Sequence, residues 1–332
     1  MRLVGLVGLL LLAMLFSLTV GAVSISWSSL AEVVTTGPQG TGVESVILWQ
    51  LRLPRVLLAC VVGCGLGVAG TGYQGLFRNP LADPFVIGAS SGAALGATVA
   101  MIGDWHGSFA GLAPVSVSAL VGALLAVSCV YLIAAIGGLV PTISLLLAGV
   151  AVSSFLGAVV SLLMFLNSEE LVTIFSWLMG SFSGSTWTIL GSTAPLIALG
   201  VMVIALLARP LDALTFGEEA ATTLGLPLSQ FRALLVIAAS LTTGACVAAA
   251  GIVGFVGLIS PHIARFFVGA RHSVLIPASG ILGAALLLIA DDVSRTLAAP
   301  GELPVGVVTA LLGGPFFLYL LKTQQHRLGQ GS

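Results

Sequence analysis

The chain has 332 residues, of which 58% are hydrophobic and only 7% charged, and its mean hydropathy is +1.17. A water-soluble domain carries about 25% charged residues, so the composition excludes a soluble protein and indicates that the lipid bilayer is the main solvent. The formal net charge of -1, without any basic cluster, also excludes a nucleic-acid partner.

Apolar runs follow one another along the whole chain, and a helix needs about 20 such residues to cross the hydrocarbon core. The first run follows Arg2 and lacks a small-x-small cleavage pattern, so we interpret it as a transmembrane helix rather than a signal peptide. The connections are short, which predicts a single transmembrane domain over residues 1–332. The ten predicted spans lie near residues 3–23, 56–75, 85–103, 113–135, 142–166, 189–208, 232–250, 252–268, 274–291 and 304–322.

The basic residues indicate the orientation of these spans. Ten spans place both termini on one side, and we assign that side to the cytoplasm because eight basic residues then lie inside and three outside. The inner set is Arg2, Arg78, Arg209, Arg232, Arg265, Arg271, Lys322 and Arg327, and the outer set is Arg52, Arg55 and Arg295. The five tryptophans, which fall outside or at the outer ends of spans as interfacial anchors do, are Trp27, Trp49, Trp105, Trp177 and Trp187.

Glycines recur at helical spacing within two of the spans. Gly88, Gly92 and Gly96 are each four residues apart, and so are Gly63 and Gly67. Small faces of this kind let helix backbones approach closely in lipid. The pattern therefore predicts a tightly packed helix bundle.

Four cysteines, Cys60, Cys64, Cys129 and Cys246, lie within apolar runs. Cys60 and Cys64 share a helix face, which is compatible with a metal pair, but no histidine or carboxylate lies near them in the sequence. We interpret this pair as buried small hydrophobic residues, and the four cysteines imply neither a metal site nor a disulfide.

Three segments place polar residues where a membrane helix would not favour them. The first is Leu51-Arg-Leu-Pro-Arg55, in which Pro54 suits the first turn of a helix. Arg52 and Arg55 are expected on the outer surface. They are either an interfacial pair that snorkels to the headgroups or a dock for an acidic patch on an external partner.

The second segment, residues 209–232, is the longest cytoplasmic connection. It contains a predicted short helix from Glu218 to Leu224, with acidic residues at its start and Gly225 at its end. This helix either caps the bundle or fits the socket of a motor protein.

The third segment runs from Gly251 to Arg265 and contains Pro261, which is expected to break or kink its helix. His262 has no second ligand at helical spacing, so a structural or interface role is favoured over a metal site.

Several motifs, in this order and spacing, resemble the permease subunits of binding-protein-dependent ABC importers for iron–siderophores, haem and vitamin B12. The resemblance covers nearly the whole chain, up to about Lys322. The motifs are Arg-Leu-Pro-Arg55, Gln74 with Asn79-Pro-Leu-Ala-Asp-Pro84, Phe216-Gly-Glu218, Leu224-Gly-Leu-Pro227, Gly254 to Arg265, Ala290-Asp291 with Arg295, and Glu302 to Phe317.

The resemblance implies an all-α integral membrane protein with pseudo-symmetric halves, which forms a homodimer with the translocation path at the dimer interface. Two ATPase subunits at the cytoplasmic face and one external substrate-binding protein would complete the assembly in a bacterial or archaeal inner membrane. ATP-Mg would bind to the ATPase partner, and this chain itself would bind no cofactor.

The resemblance also implies roles for individual residues. Docking of the binding protein is expected at Arg52, Arg55 and Arg295. Coupling to the ATPases is expected at Phe216, Gly217, Glu218, Leu224, Gly225 and Leu226. The path residues are expected to be Ser153, Ser154, Ser161, Met164, Asn167, Ser168, Trp177 and Met179. The structural motif consists of Gln74, Asn79, Pro80, Pro261, His262 and Arg265.

Two other classes of function fit the sequence less well. An ion-coupled secondary transporter would use intramembrane carboxylates, and the candidates Asp291 and Asp292 lie beside Arg295 at an outer helix end, where ion pairing explains them equally well. An intramembrane enzyme is disfavoured because no His-Glu-x-x-His motif occurs. Lys322 is the only lysine and no phosphate-binding loop surrounds it, so we expect ATP hydrolysis on a partner.

Overall fold

A computed structural model describes residues 2–21, 26–38, 40, 42–135, 140–299 and 301–329, and the side chains of 323–329, including Arg327, lie outside the description. The described chain is helical apart from short connections and one isolated bridge between Phe109 and Leu112. The helices are α1 (Arg2–Thr19), α2 (Trp27–Thr36), α3 (Val43–Val46), α4 (Leu53–Phe77), α5 (Ala89–Ile102), α6 (Pro114–Ala134), α7 (Thr142–Leu166), α8 (Leu171–Leu178), α9 (Trp187–Leu206), α10 (Ala208–Leu214), α11 (Glu218–Thr223), α12 (Leu228–Ala250), α13 (Val256–Val268), α14 (His272–Leu297) and α15 (Val305–Gly329).

The ten predicted spans are all present as helices. Within the described residues, eight helices are long and apolar enough to cross a membrane, and the two shorter apolar helices α5 and α13 complete the ten. Helix α7 agrees with its prediction at both ends. Helix α14 continues six residues past the predicted end at 291, and α13 begins at 256 rather than 252. The later start of α13 follows from positive φ angles at Gly251 and Phe255, which interrupt the helix.

The outer connection after α1 contains structure that hydropathy did not predict. Helix α2 begins after Ser26, whose hydroxyl accepts a hydrogen bond from the N–H of Ser29 at 3.1 Å. Helix α3 then continues through a π-helical stretch, Ile47–Arg52, directly into α4. The span predicted from residue 56 therefore begins at 43, and Arg52 and Arg55 lie on a continuous helix.

Helices α4 and α14 approach so closely that backbone meets backbone. A Cβ atom on Gly63 would lie 2.3 Å from the carbonyl oxygen of Gly283, and one on Gly67 would lie 2.4 Å from that of Ser279. Helix α5 meets α6 in the same way, because a Cβ on Gly92 would lie 2.3 Å from a backbone oxygen of α6. The predicted close packing through small residues is confirmed.

Burial differs strongly between the spanning helices. All but four of the 25 residues of α4 are buried, so this helix forms the centre of the bundle. Helix α7, also of 25 residues, buries only Leu145, Ala148, Gly149 and Val160. The predicted path helix therefore lies at the edge of the subunit, with most of its surface free for lipid or another chain.

The cysteine prediction is confirmed in part. Cys60 is buried and Cys64 is half-buried; of the other two cysteines, Cys246 is buried and Cys129 is exposed on α6. All four are free thiols. The run that carries Cys129 is apolar because it faces the membrane, and hydropathy does not distinguish that environment from a protein core.

Candidate functional site

A network of buried charges joins the N-terminal end of α4 to the C-terminal end of α14, and the orientation prediction places these ends outside. The Arg55 guanidinium donates from Nε to Asp291 Oδ2 at 2.9 Å and from Nη2 to Asp291 Oδ1 at 2.8 Å. Its other edge donates to Glu302, from Nη1 to Oε1 at 2.9 Å and from Nη2 to Oε2 at 3.0 Å. Arg55 is thus bound by two carboxylates at once, and the bidentate pairing offsets the cost of burying these charges.

Arg295 forms the second part of this network. Its Nη2 donates to the Ser17 carbonyl and hydroxyl oxygens, both at 2.7 Å, and to Asp292. The Ser17 hydroxyl also donates to Asp292 at 2.7 Å. Arg52 donates from Nη1 to the Leu18 carbonyl at 2.6 Å. The outer end of α1 is therefore joined to α4 and α14.

These contacts correct the expected placement of the arginines. Arg52, Arg55 and Arg295 are 6%, 9% and 5% exposed, so the prediction that Arg52 and Arg55 stand on the outer surface is wrong for this subunit. They do not snorkel, because carboxylates and carbonyl oxygens within the protein satisfy their guanidinium groups. Arg55 and Arg295 pair with Asp291, Asp292 and Glu302, and with Arg52 beside them the formal charges of the network sum to zero.

The connection that carries Glu302 also binds the segment after α8. The N–H of Val305 donates to the Gly180 carbonyl and the N–H of Gly306 to the Met179 carbonyl, both at 3.0 Å. The N–H of Leu303 donates to the Ser294 carbonyl at 3.0 Å. Residues 302–306 thus link the charge network to the α8 end of the predicted path.

The connection that the orientation prediction places in the cytoplasm forms two short helices, α10 and α11. The predicted helix from Glu218 to Leu224 is confirmed to within one residue, since α11 spans Glu218–Thr223. Gly217 and Gly225 flank it with φ angles of 107° and 85°, which favour glycine. Phe216 is 80% and Leu224 73% exposed at its two ends, whereas Leu226 packs against the core.

Two polar contacts hold this connection against the bundle. Glu218 pairs with Arg232 of α12 at 2.6 Å, and Arg232 also donates to the Val140 carbonyl at 2.9 Å. Asp212 Oδ1 accepts from the backbone N–H of His272 at 2.8 Å and contacts the ring Nδ1 at 2.7 Å. The coupling segment is therefore attached to α12 through one helix and to α14 through the other.

Gln74 and Pro261 of the predicted structural motif act together. Pro261 does not break α13, which is continuous from Val256 to Val268, so the expected break is wrong. Proline leaves the carbonyl four residues earlier without its helical donor, and here Gln74 Nε2 lies 3.4 Å from that Gly257 carbonyl. The oxygen of the same amide accepts a hydrogen bond from Arg265 Nη1 at 2.8 Å, so Gln74 joins α4 to the turns of α13 that carry Gly257 and Arg265.

The loop after α4 is shaped by two side chains that accept from backbone N–H groups. Asn79 Oδ1 accepts from Leu81 and Asp83 Oδ1 from Phe85, both at 2.9 Å, around a turn that includes Pro80. Burial raises the pKa of the Asp83 carboxyl to about 6, although the hydrogen bond from Phe85 acts in the opposite direction.

His262 packs by ring contacts. Its ring meets Phe266 and Phe316 edge-on, with centroids 5.3 and 5.6 Å apart. Its Nδ1 is buried and has no hydrogen-bond partner among the described residues. The contact with Phe316 joins α13 to α15, which agrees with the predicted structural role.

The predicted path residues lie on α7, on α8 and just beyond each. Ser154, Ser161 and Ser168 are exposed. The Ser161 hydroxyl and the Asn167 amide donate to carbonyl oxygens one turn back, at 3.0 and 2.8 Å, so neither is committed to another helix. The half-buried residues are Ser153, Met164, Asn167, Trp177 and Met179.

Comparison with known proteins assigns the fold and the class. Residues 9–323 match the FecCD transport family. The chain belongs to this family. It is 45% identical over 282 residues to the cobalamin import system permease protein BtuC of Halobacterium salinarum, covering 85% of this chain and 75% of that protein. It is 40% identical over 322 residues to the hemin transport system permease protein HmuU of Yersinia pestis, covering 96% and 94%.

A solved structure agrees over almost the whole permease. It shows an inward-facing conformation of a metal-chelate type ABC transporter, with 34% identity and a TM-score of 0.86 over 97% of this chain and 98% of that one. The resemblance stated from the motifs is confirmed. The protein is a multi-pass permease component of an ABC importer in the inner membrane of a bacterial or archaeal cell.

Family membership and geometry together remove the secondary-transporter alternative for this permease. Asp291 and Asp292, its candidate ion-coupling residues, are paired with Arg55 and Arg295. Glu302 and Ser17 are the network members that sequence reasoning did not assign to the site. Glu302 did lie in a recognised motif, but its partner is 247 residues away, so no local pattern could reveal the pairing.

Proposed function

We propose that this permease is the membrane subunit of an ATP-driven importer that carries a metal chelate of the siderophore, haem and cobalamin group. In this assembly two copies of the chain enclose the path, two ATPase subunits sit on the cytoplasmic face, and one external binding protein delivers the cargo. ATP-Mg binds to the ATPases. A ferric siderophore is the first cargo to test, with haem and cobalamin beside it.

The observation that carries the proposal is the exposed apolar surface of the cytoplasmic connection. Phe216 and Leu224 expose two large apolar side chains at the two ends of the short helix α11. Glu218 of α11 pairs with Arg232 of α12, and Asp212 of α10 accepts a hydrogen bond from the backbone N–H of His272 of α14, so the connection is fixed at two points. Exposed anchors on a rigid helix are typical of a partner site, and a motor subunit that pushes on this helix would move two spanning helices.

The predicted path supports a bulky cargo held weakly. The path residues of α7 are hydroxyl, amide and thioether groups without a charge, so they offer no strong fixed site. A second copy of the chain against the exposed edge of α7 would enclose this surface. Selectivity among metal chelates would then rest with the external binding protein.

Uptake in proteoliposomes tests the proposal. The permease is reconstituted with its ATPase and its external binding protein, and labelled ferric siderophores, haem and cobalamin are offered with and without ATP. We expect ATP-dependent uptake of one compound. Uptake that follows an imposed ion gradient and ignores ATP would refute the importer assignment.

A double substitution, Phe216→Ser with Leu224→Ser, tests the motor site in the same vesicles. Because both side chains face solvent, we expect normal folding but loss of ATPase binding and of transport. The matched control is Phe109→Ser, which removes a side chain of the outer face that is 75% exposed. Full transport by the double variant would refute the coupling role.

A further inference from the structure

The two carboxylates that bind Arg55 differ in their access to solvent. Asp291 has no exposed surface, whereas the Glu302 side chain is 36% exposed. Asp291 also lies 3.9 Å from Arg295 Nε, so it has a second cation nearby. Glu302 lies on the connection between α14 and α15, and within the described part of the chain its side chain hydrogen-bonds to Arg55. One counterion of Arg55 is therefore fixed and the other can leave.

Glu302 stands between two cavities at the outer end. One, of about 360 Å³, is lined by Arg52, Arg55 and Arg295, and Leu51 and Ser183 on its wall are exposed. The other, of about 450 Å³, is also lined by Glu302. Its wall carries hydroxyl groups, which are contributed by Ser116, Thr173, Ser176, Ser181 and Ser183.

Hydroxyl donors can solvate a carboxylate that has lost its arginine. A rotation of the Glu302 side chain would move its charge from the arginine-lined cavity into the hydroxyl-lined cavity. The outer edge of Arg55 would then face an open space of the size of a carboxylate side chain.

We propose that Glu302 is an exchangeable counterion, which a carboxylate on an external acidic protein surface replaces at Arg55. The inference rests on the proposed function, in which an external binding protein delivers the cargo, and on the docking at these arginines that the resemblance implies. It explains how arginines that are neutralised within the subunit still accept such a partner. Asp291 stays in place and docking exchanges the second carboxylate for another, so Arg55 keeps two carboxylate partners.

The exchange has a consequence for the path. Glu302 lies next to Leu303 and Val305, whose backbone N–H groups bond to Ser294 and Gly180. Release of Glu302 from Arg55 removes one of the contacts that hold this connection beside the end of α8. Docking is thereby communicated to the predicted entrance of the path through a single side chain.

The test uses the full-length permease in lipid nanodiscs and a labelled ten-residue polyglutamate peptide as the acidic probe. Glu302→Gln removes the internal competitor, and Asp291 still neutralises Arg55, so we expect binding about tenfold tighter than for the wild type. Glu302→Asp keeps the net charge but is one methylene shorter, which weakens the bidentate contact. We expect an intermediate gain of about threefold for it.

The control for net charge is Glu169→Gln, which removes an exposed carboxylate next to α8. We expect its effect to stay below about twofold because no arginine is released. Equal gains for Glu302→Gln and Glu169→Gln, or wild-type affinity in both Glu302 variants, would overturn the exchange. The proposed function is scored separately by ATP-dependent uptake, so a failed exchange with intact uptake rejects the inference alone.

Discussion

Where α4 touches α14, we predict that replacing a glycine with alanine lowers the stability of the protein. On the open surface of α7, the same replacement should leave the stability unchanged or raise it slightly. In Gly63→Ala, the new Cβ would lie 2.3 Å from the carbonyl oxygen of Gly283, and in Gly283→Ala it would lie 2.2 Å from that of Gly63. Carbon and oxygen atoms in contact need about 3.4 Å. Each substitution must therefore push the two helices apart by about 1 Å.

The two energetic effects of the substitution oppose each other. Alanine favours a helix over glycine by about 1 kcal/mol. Overpacking of a close contact costs about 1–3 kcal/mol, and separation of the helices loses further contacts along the seam, which includes Gly67 and Ser279. We expect Gly63→Ala to lower the free energy of unfolding by about 2 kcal/mol, or the melting temperature by about 3 °C.

Thermal unfolding in detergent, followed by a thiol-reactive dye that reports the buried Cys60 and Cys246, measures this effect. Gly157→Ala on α7 is the matched control, because a Cβ there meets no atom within 4 Å. We expect this variant to melt at or slightly above the wild-type temperature. The reasoning is refuted if Gly63→Ala is as stable as Gly157→Ala.

Three further substitutions test other contacts. Asp291→Asn leaves the buried Arg55 with one counterion fewer and should lower the free energy of unfolding by about 3 kcal/mol in a denaturation series. The control Asp104→Asn changes an exposed carboxylate and should have no measurable effect. Equal midpoints for the two variants would contradict the buried network. Gln74→Leu leaves the carbonyl freed by the proline of α13 without a donor and should cost about 2 kcal/mol; an unchanged midpoint would show that the amide contributes nothing there. Asp212→Asn weakens the acceptor of His272 and should increase hydrogen exchange of α10 by about tenfold; unaltered exchange would exclude this contact as the attachment.

The spanning helices were predictable because lipid selects for long apolar runs and because polar or Gly/Pro residues end them. Helix α7 is bounded by Pro141 and Asn167 and matched at both ends. Helix α2 was not predicted because it is only ten residues long and amphipathic. Hydropathy averaged over a membrane-length window does not detect such a helix. The late start of α13 depends on the φ angle of Phe255, a residue type that does not favour positive φ.

The site was predictable as a set of residues but not as a set of contacts. Arg55, Asp291 and Glu302 each lie in a recognisable motif, yet their pairing joins residues 236 and 247 positions apart. The exposure of Arg55 was predicted wrongly for the same reason. An arginine near a helix end is expected to be exposed unless a carboxylate that is distant in the sequence binds it. The coupling helix was easier, because its cap glycines and acidic start are local signals.

The uneven burial of α4 and α7 divides the subunit into a stiff part and a compliant part. Helices α4 and α14 touch through backbone atoms, and α13 is joined to α4 through Gln74, so relative sliding of these three would break close contacts along their length. Helix α7 has only four buried residues to anchor it within the subunit. We therefore expect the movements of a transport cycle to concentrate in α7, whereas α4 and α14 move together as one rigid body that spans the membrane.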